Sequence, residues 1–78
     1  MSEITILAFG KLTDILPQKM QFPWTGGTLA DLKENLETAY PEIAGKTFQV
    51  AVNQAIVPLT TTVVPGAEIA LLPPFSGG

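Results

Sequence analysis

The chain contains no cysteine and no histidine, and only 14% of its 78 residues are charged. Without cysteine there is no disulfide framework, no thiolate nucleophile and no thiolate metal site. Without histidine there is no ordinary general base poised near neutral pH. The only basic side chains are four lysines, at 11, 19, 33 and 46, on a chain of formal net charge −3. Scattered in this way they form no basic stripe, which argues against a nucleic-acid face and against an anionic membrane surface. No apolar run approaches the roughly 18 residues that span a bilayer. The opening stretch Met1–Gly10 lacks the basic start and apolar core of a signal peptide, so a cytoplasmic protein is expected.

Apolar residues are plentiful, at 46%. That is enough for one small core, so a single domain is expected over residues 1–78. The charge fraction is low for a self-sufficient soluble surface, which points to a protein partner.

In order, Glu3–Phe9 reads as a strand with apolar groups on both faces: Ile4, Ile6 and Ala8 point one way, Thr5, Leu7 and Phe9 the other. Gly10 breaks it. Lys11–Leu16 suits a short helical turn with Leu12, Ile15 and Leu16 inward, stopped by Pro17. Lys19–Trp24 alternates Met20, Phe22 and Trp24 with wetter positions, and Pro23 places it at an edge or a strand end. Trp24 suits core or edge filling better than an interface anchor. Thr28 is a good N-cap with Asp31 three residues on, a near capping box. The helix that follows carries Leu29, Leu32, Leu36 and Tyr40 on one face and ends before Pro41, with a tighter turn able to bring Ile43 inward. Glu34 and Glu37 are spaced as solvated charge rather than as a catalytic pair. Thr47–Val52 reads as a strand, Asn53-Gln54 as a hairpin tip and Ala55–Val57 as its return arm. Pro58–Val64 reads as a loop with one turn, and Pro65-Gly66 reverses the chain into a last strand.

The element order is strand, strand, helix, strand, short strand, strand. The most apolar strands, the first and the last, belong side by side in the centre, joined by a long crossover and therefore parallel. That arrangement is an α+β β-grasp, or ubiquitin-like, fold: a mixed sheet of four to five strands with one main helix on one face. The opposite face is left with residues such as Leu7, Phe9 or Leu71, depending on phase, and is expected to dock a partner.

The last eleven residues, Glu68–Gly78, organise the rest. Glu68–Leu72 is a strand. Pro73 and Pro74 cannot continue a ladder and hold φ near −65°, so the backbone leaves as a stiff rod. Phe75 follows, then Ser76, Gly77 and Gly78, a slim tip able to enter a channel that closes behind any Cβ. Residues 73–78 are thus expected to protrude, with the carboxylate of Gly78 as the group a partner could modify. Thr25–Thr28 lacks the glycine spacing and lysine of a phosphate-cradling loop.

Two stretches, Ala51–Val57 (AVNQAIV) and Pro65–Gly78 (PGAEIALLPPFSGG), resemble the small, sulfur-carrying subunits of molybdopterin synthase. These belong to the ubiquitin-like sulfur carriers of molybdenum-cofactor and thiamine biosynthesis. The resemblance covers the whole chain in length and element order. It implies that an activating enzyme uses ATP to adenylate the Gly78 carboxylate, and that sulfur supplied by a donor acting through that enzyme displaces AMP. The resulting thiocarboxylate would be presented to a pyranopterin precursor inside the large, catalytic synthase subunit. The chain itself would bind no cofactor or metal and supply no catalytic residue. Gly78 would be the covalently activated group, Ser76, Gly77 and Gly78 the inserted tail, and Leu72, Pro73, Pro74, Phe75, Phe9 and Leu7 the partner-binding residues. Ser76 stands where threonine is common, and Phe75 where a smaller β-branched residue often sits, which asks for a roomier partner pocket. Two other readings share the same terminus: a sulfur carrier for the thiamine thiazole or another pathway, and a ubiquitin-like protein modifier.

Overall fold

The computed structural model describes residues 2–73. Five strands form one sheet: β1 (Glu3–Ala8), β2 (Lys19–Pro23), β3 (Gln49–Val52), β4 (Ala55–Ile56) and β5 (Glu68–Leu72), in the spatial order β2-β1-β5-β3-β4. The central pair, β1 and β5, is parallel, with Ile6 beside Ile69 and Ala8 beside Leu71; β2, β3 and β4 add antiparallel. The single α-helix, α1 (Leu29–Ala39), covers one face. This is the β-grasp arrangement, reached because β1 and β5 carry apolar residues at both phases and so belong inside the sheet.

On the helix side, Ile4, Ile6 and Ala8 of β1 and Ile69 and Leu71 of β5 meet Leu29, Leu32 and Leu36 of α1, all buried in one cluster. Leu12 and Leu16 close one end from the 3-10 turn Gly10–Asp14 and the residues after it. Ile43 closes another from the 3-10 turn Pro41–Gly45 that follows the α-helix. Trp24 belongs to the core, 4% exposed, and its indole Nε1–H donates to the Val63 carbonyl at 2.8 Å.

The helix start is tied twice. Thr28 and Asp31 form the full capping box, Asp31 N–H donating to Thr28 Oγ1 and Thr28 N–H to Asp31 Oδ2. The stretch 58–64 then supplies backbone: Leu29 N–H donates to Thr61 O at 2.8 Å and Ala30 N–H to Leu59 O at 3.0 Å. All four orphan N–H groups of the helix start, those of Thr28, Leu29, Ala30 and Asp31, are thereby met.

Strand bounds differ from the sequence reading by one or two residues. β1 stops at Ala8 because Gly10 takes φ +63°, and β3 starts at Gln49 rather than Thr47. Asn53 and Gln54 at the hairpin tip both have positive φ, 50° and 73°, so the turn is of the primed type. One expectation is corrected. Leu71 is not on the open face: it is fully buried against the helix layer, because its partner in the parallel ladder is Ala8, and Ala70 and Leu72 take the outer positions instead.

Candidate functional site

The helix-free face of the sheet can be laid out from the register. Leu7, Ala70, Ala51 and Ile56 stand side by side across β1, β5, β3 and β4, with Leu72 beside Gln49 one step towards the end of β5. Lys19, the β2 neighbour of Leu7, and the bonded pair Gln21–Thr5 border this apolar row. Leu7, Ala70 and Leu72 are half-buried, whereas Ile56 is 61% exposed and Phe9 is 44% exposed. Ile56 on β4 and Phe9 just past β1 are separated by β5 and β3, so the two exposed side chains stand on either side of the half-buried Leu7, Ala70 and Leu72.

β5 is the last strand before residues 74–78 in the sequence. It is hydrogen-bonded on both edges, and two contacts hold its ends. At its start Glu68 N–H donates to Asn53 Oδ1 at 3.0 Å, while Asn53 N–H donates to Glu68 O at 2.8 Å, so the hairpin tip clamps the strand. At its end Phe9 N–H donates to Leu71 O at 3.1 Å, continuing the parallel ladder one residue past β1. Pro73 then crosses the turn at Gly10. A Cβ placed on Gly10 would stand 2.9 Å from Pro73 Cγ, closer than real Cβ contacts, and φ +63° at Gly10 is itself left-handed. Gly10 is thus required twice over, by its own conformation and by the proline lying on it. Its carbonyl accepts a hydrogen bond from Thr13 Oγ1 at 2.8 Å.

Beside Pro73 lies a cavity of about 420 Å³, walled by Phe9, Leu12 and Pro73, with Lys11, Lys46 and Thr47 also lining it. Among the described residues no carboxylate lines it.

Of the residues singled out from sequence, Leu7, Phe9, Leu72 and Pro73 fall on this face or at its tail end; Pro74, Phe75, Ser76, Gly77 and Gly78 lie outside the described residues. Asn53 was not anticipated beyond its turn; its position immediately after a strand, with a side-chain acceptor, was the available signal. Among the described residues no polar or charged side chain is buried and no group of acidic side chains could hold a metal ion. Among the described residues no helix is long and apolar enough to cross a membrane.

Comparison with known proteins agrees with this geometry. A family model, that of the ThiS family, matches residues 6–78. A molybdopterin synthase sulfur carrier subunit of Mycobacterium tuberculosis is 31% identical, over all of this chain and all of that protein. Among solved structures, one described as subunit 1 of a molybdopterin converting factor from Pyrococcus furiosus superposes with a TM-score of 0.86 at 14% identity, covering 96% of this chain and 100% of the other. SAMP1 of Haloferax volcanii superposes with a TM-score of 0.80 at 22% identity, covering 97% and 99%. At such identities the structural likeness speaks for the fold.

Proposed function

The chain belongs to the ThiS family, and from that premise we propose that it is the sulfur carrier of a molybdopterin synthase, a small subunit that presents sulfur rather than performing catalysis. The observation that carries this reading is what precedes the Gly77-Gly78 end: a strand bonded on both edges leads to Pro73, which is seated on Gly10, five residues before Gly78 in the sequence. The full-length similarity to a curated sulfur carrier subunit supports it.

A carboxylate is a poor electrophile, since its charge repels a nucleophile. Attack of a Gly78 carboxylate oxygen on the α-phosphorus of ATP, bound by an activating enzyme, forms an acyl-adenylate and releases pyrophosphate. A sulfur nucleophile at the sulfide level, delivered through that enzyme, then adds to the acyl carbon and AMP leaves. The product is a C-terminal thiocarboxylate, so a chain without cysteine carries sulfur covalently. In the large subunit the sulfur attacks a carbon of the pyranopterin precursor, an oxygen substituent leaves that carbon as the carbon–sulfur bond forms, and water cleaves the acyl–sulfur bond to restore the Gly78 carboxylate. Positioning and charge stabilisation come from the partners on both occasions. This chain contributes a slim terminus and a docking face around Leu7, Phe9, Leu72 and Pro73, continued by Pro74 and Phe75.

The test is intact mass after incubation with ATP, activating enzyme and sulfur donor. The expected change is one oxygen replaced by sulfur, localised to Gly78; no change with a demonstrably competent enzyme refutes the reading. Adding one residue after Gly78 is expected to abolish transfer with the fold intact. One alternative recipient is a thiamine-pathway thiazole synthase, with the same chemistry at Gly78. Co-purification with that enzyme instead of a pterin synthase subunit would select it.

A further inference from the structure

Two of the chain's four lysines, Lys11 after β1 and Lys46 before β3, are distant in sequence yet line the same cavity beside Pro73, which no carboxylate among the described residues lines. Both are exposed, and Phe9 next to them is an exposed aromatic. On a chain of net charge −3 this is a local cationic, apolar notch at the root of the tail.

We propose that this notch seats an acidic, apolar-tipped loop of the large synthase subunit, with Lys11 and Lys46 pairing to carboxylates and the apolar tip packing on Phe9 and Pro73. The inference rests on the sulfur-carrier reading and adds to it the chemistry of the partner surface. Reach requires that something cover the notch. Residues 74–78 are five in number, so fully extended they span about 17 Å from Pro73. A partner that encloses Gly78 deeply enough to exclude water therefore closes over the tail root. Charge decides what covers it. Ammonium groups brought under an apolar partner surface are costly unless carboxylates meet them. The same complementarity steers the encounter, because the chain as a whole is acidic and two of its four lysines are brought together at this end.

The experiment measures association of the full chain with purified large subunit by stopped flow, at low and at physiological ionic strength. Three proteins are compared: the unaltered chain, the double variant Lys11→Glu/Lys46→Glu, and Lys33→Glu. Lys33 lies over the Phe48 ring at 5.6 Å and lines a different groove, so its variant carries a charge reversal away from the tail root. Thermal unfolding of each variant checks that the fold is retained, and Lys11→Gln/Lys46→Gln repeats the test without introducing negative charge. The expected result is that the double reversal slows association about tenfold or more at low salt, with the gap narrowing as salt rises, whereas Lys33→Glu stays within about twofold. Association of the double reversal at the unaltered rate overturns the proposal. So does faster association, which would mean that the chain's own terminal carboxylate occupies the notch and the reversal frees it. Failure of the unaltered chain to bind the large subunit at all overturns the sulfur-carrier reading, and the inference with it.

Discussion

Replacing Gly10 by alanine tests whether the tail root is held where the geometry puts it. Two costs arise at one atom. The new Cβ sits on a left-handed backbone, φ +63°, which costs an L-residue about 1–2 kcal/mol, offset by about 0.4–1 kcal/mol because alanine restricts the unfolded chain. It also stands 2.9 Å from Pro73 Cγ, and a ring carbon fixed to the backbone cannot swing away as the end of a long side chain would. Relieving such overpacking costs roughly 1–3 kcal/mol. The sum is about 2–3 kcal/mol, against a total stability of about 4–12 kcal/mol for a domain of this size. The variant should therefore fold but melt roughly 10–20 °C lower.

The decisive measurement is a double-mutant cycle with Pro73→Ala, read by urea unfolding followed by circular dichroism. Pro73→Ala removes Cγ, leaving the proline Cβ position at an ordinary 3.6 Å. In that background Gly10→Ala should cost only its backbone share, about 1 kcal/mol, so the two substitutions should couple by about 1–2 kcal/mol. Additivity within about 0.5 kcal/mol would mean that Pro73 does not rest on Gly10, and the account of how the tail is aimed would fail.

Three further substitutions separate parts of the fold from parts of the docking face. Trp24→Phe removes the donor to the Val63 carbonyl and should cost about 1–3 kcal/mol in chemical denaturation, since that carbonyl is left unpaired; an unchanged midpoint would show that the bond contributes nothing. Gln54→Gly relieves a left-handed glutamine at the expense of chain entropy and should raise stability by about 0.5–1 kcal/mol; a lower melting temperature would count against the strained-turn reading. Ile56→Ser, on the exposed end of the apolar row, should alter stability by no more than about 0.5 kcal/mol while weakening binding to the large subunit. Equal binding would confine the docking face to β1, β5 and the tail.

What sequence could reveal was set by how local each feature is. The alternation of Met20, Phe22 and Trp24, the spacing of Leu29, Leu32 and Leu36, and the Thr28–Asp31 cap are each decided within a few residues, and the structure bears them out. The phase of β5 is different. Ile69, Ala70, Leu71 and Leu72 are apolar at both phases, so no alternation distinguishes the faces; only the pairing of Leu71 with Ala8 assigns it inward. The stretch 58–64 lacked pattern because it works through the carbonyls of Leu59 and Thr61, and every residue has a carbonyl. The tail root divides in the same way. Its glycines and prolines are contiguous and legible as a motif, while the notch that Lys11 and Lys46 share exists only because β1 and β3 flank the same central strand. The chemistry of this protein is therefore written in a short run of sequence. The notch proposed to seat the partner is made by side chains that the sheet topology alone brings together.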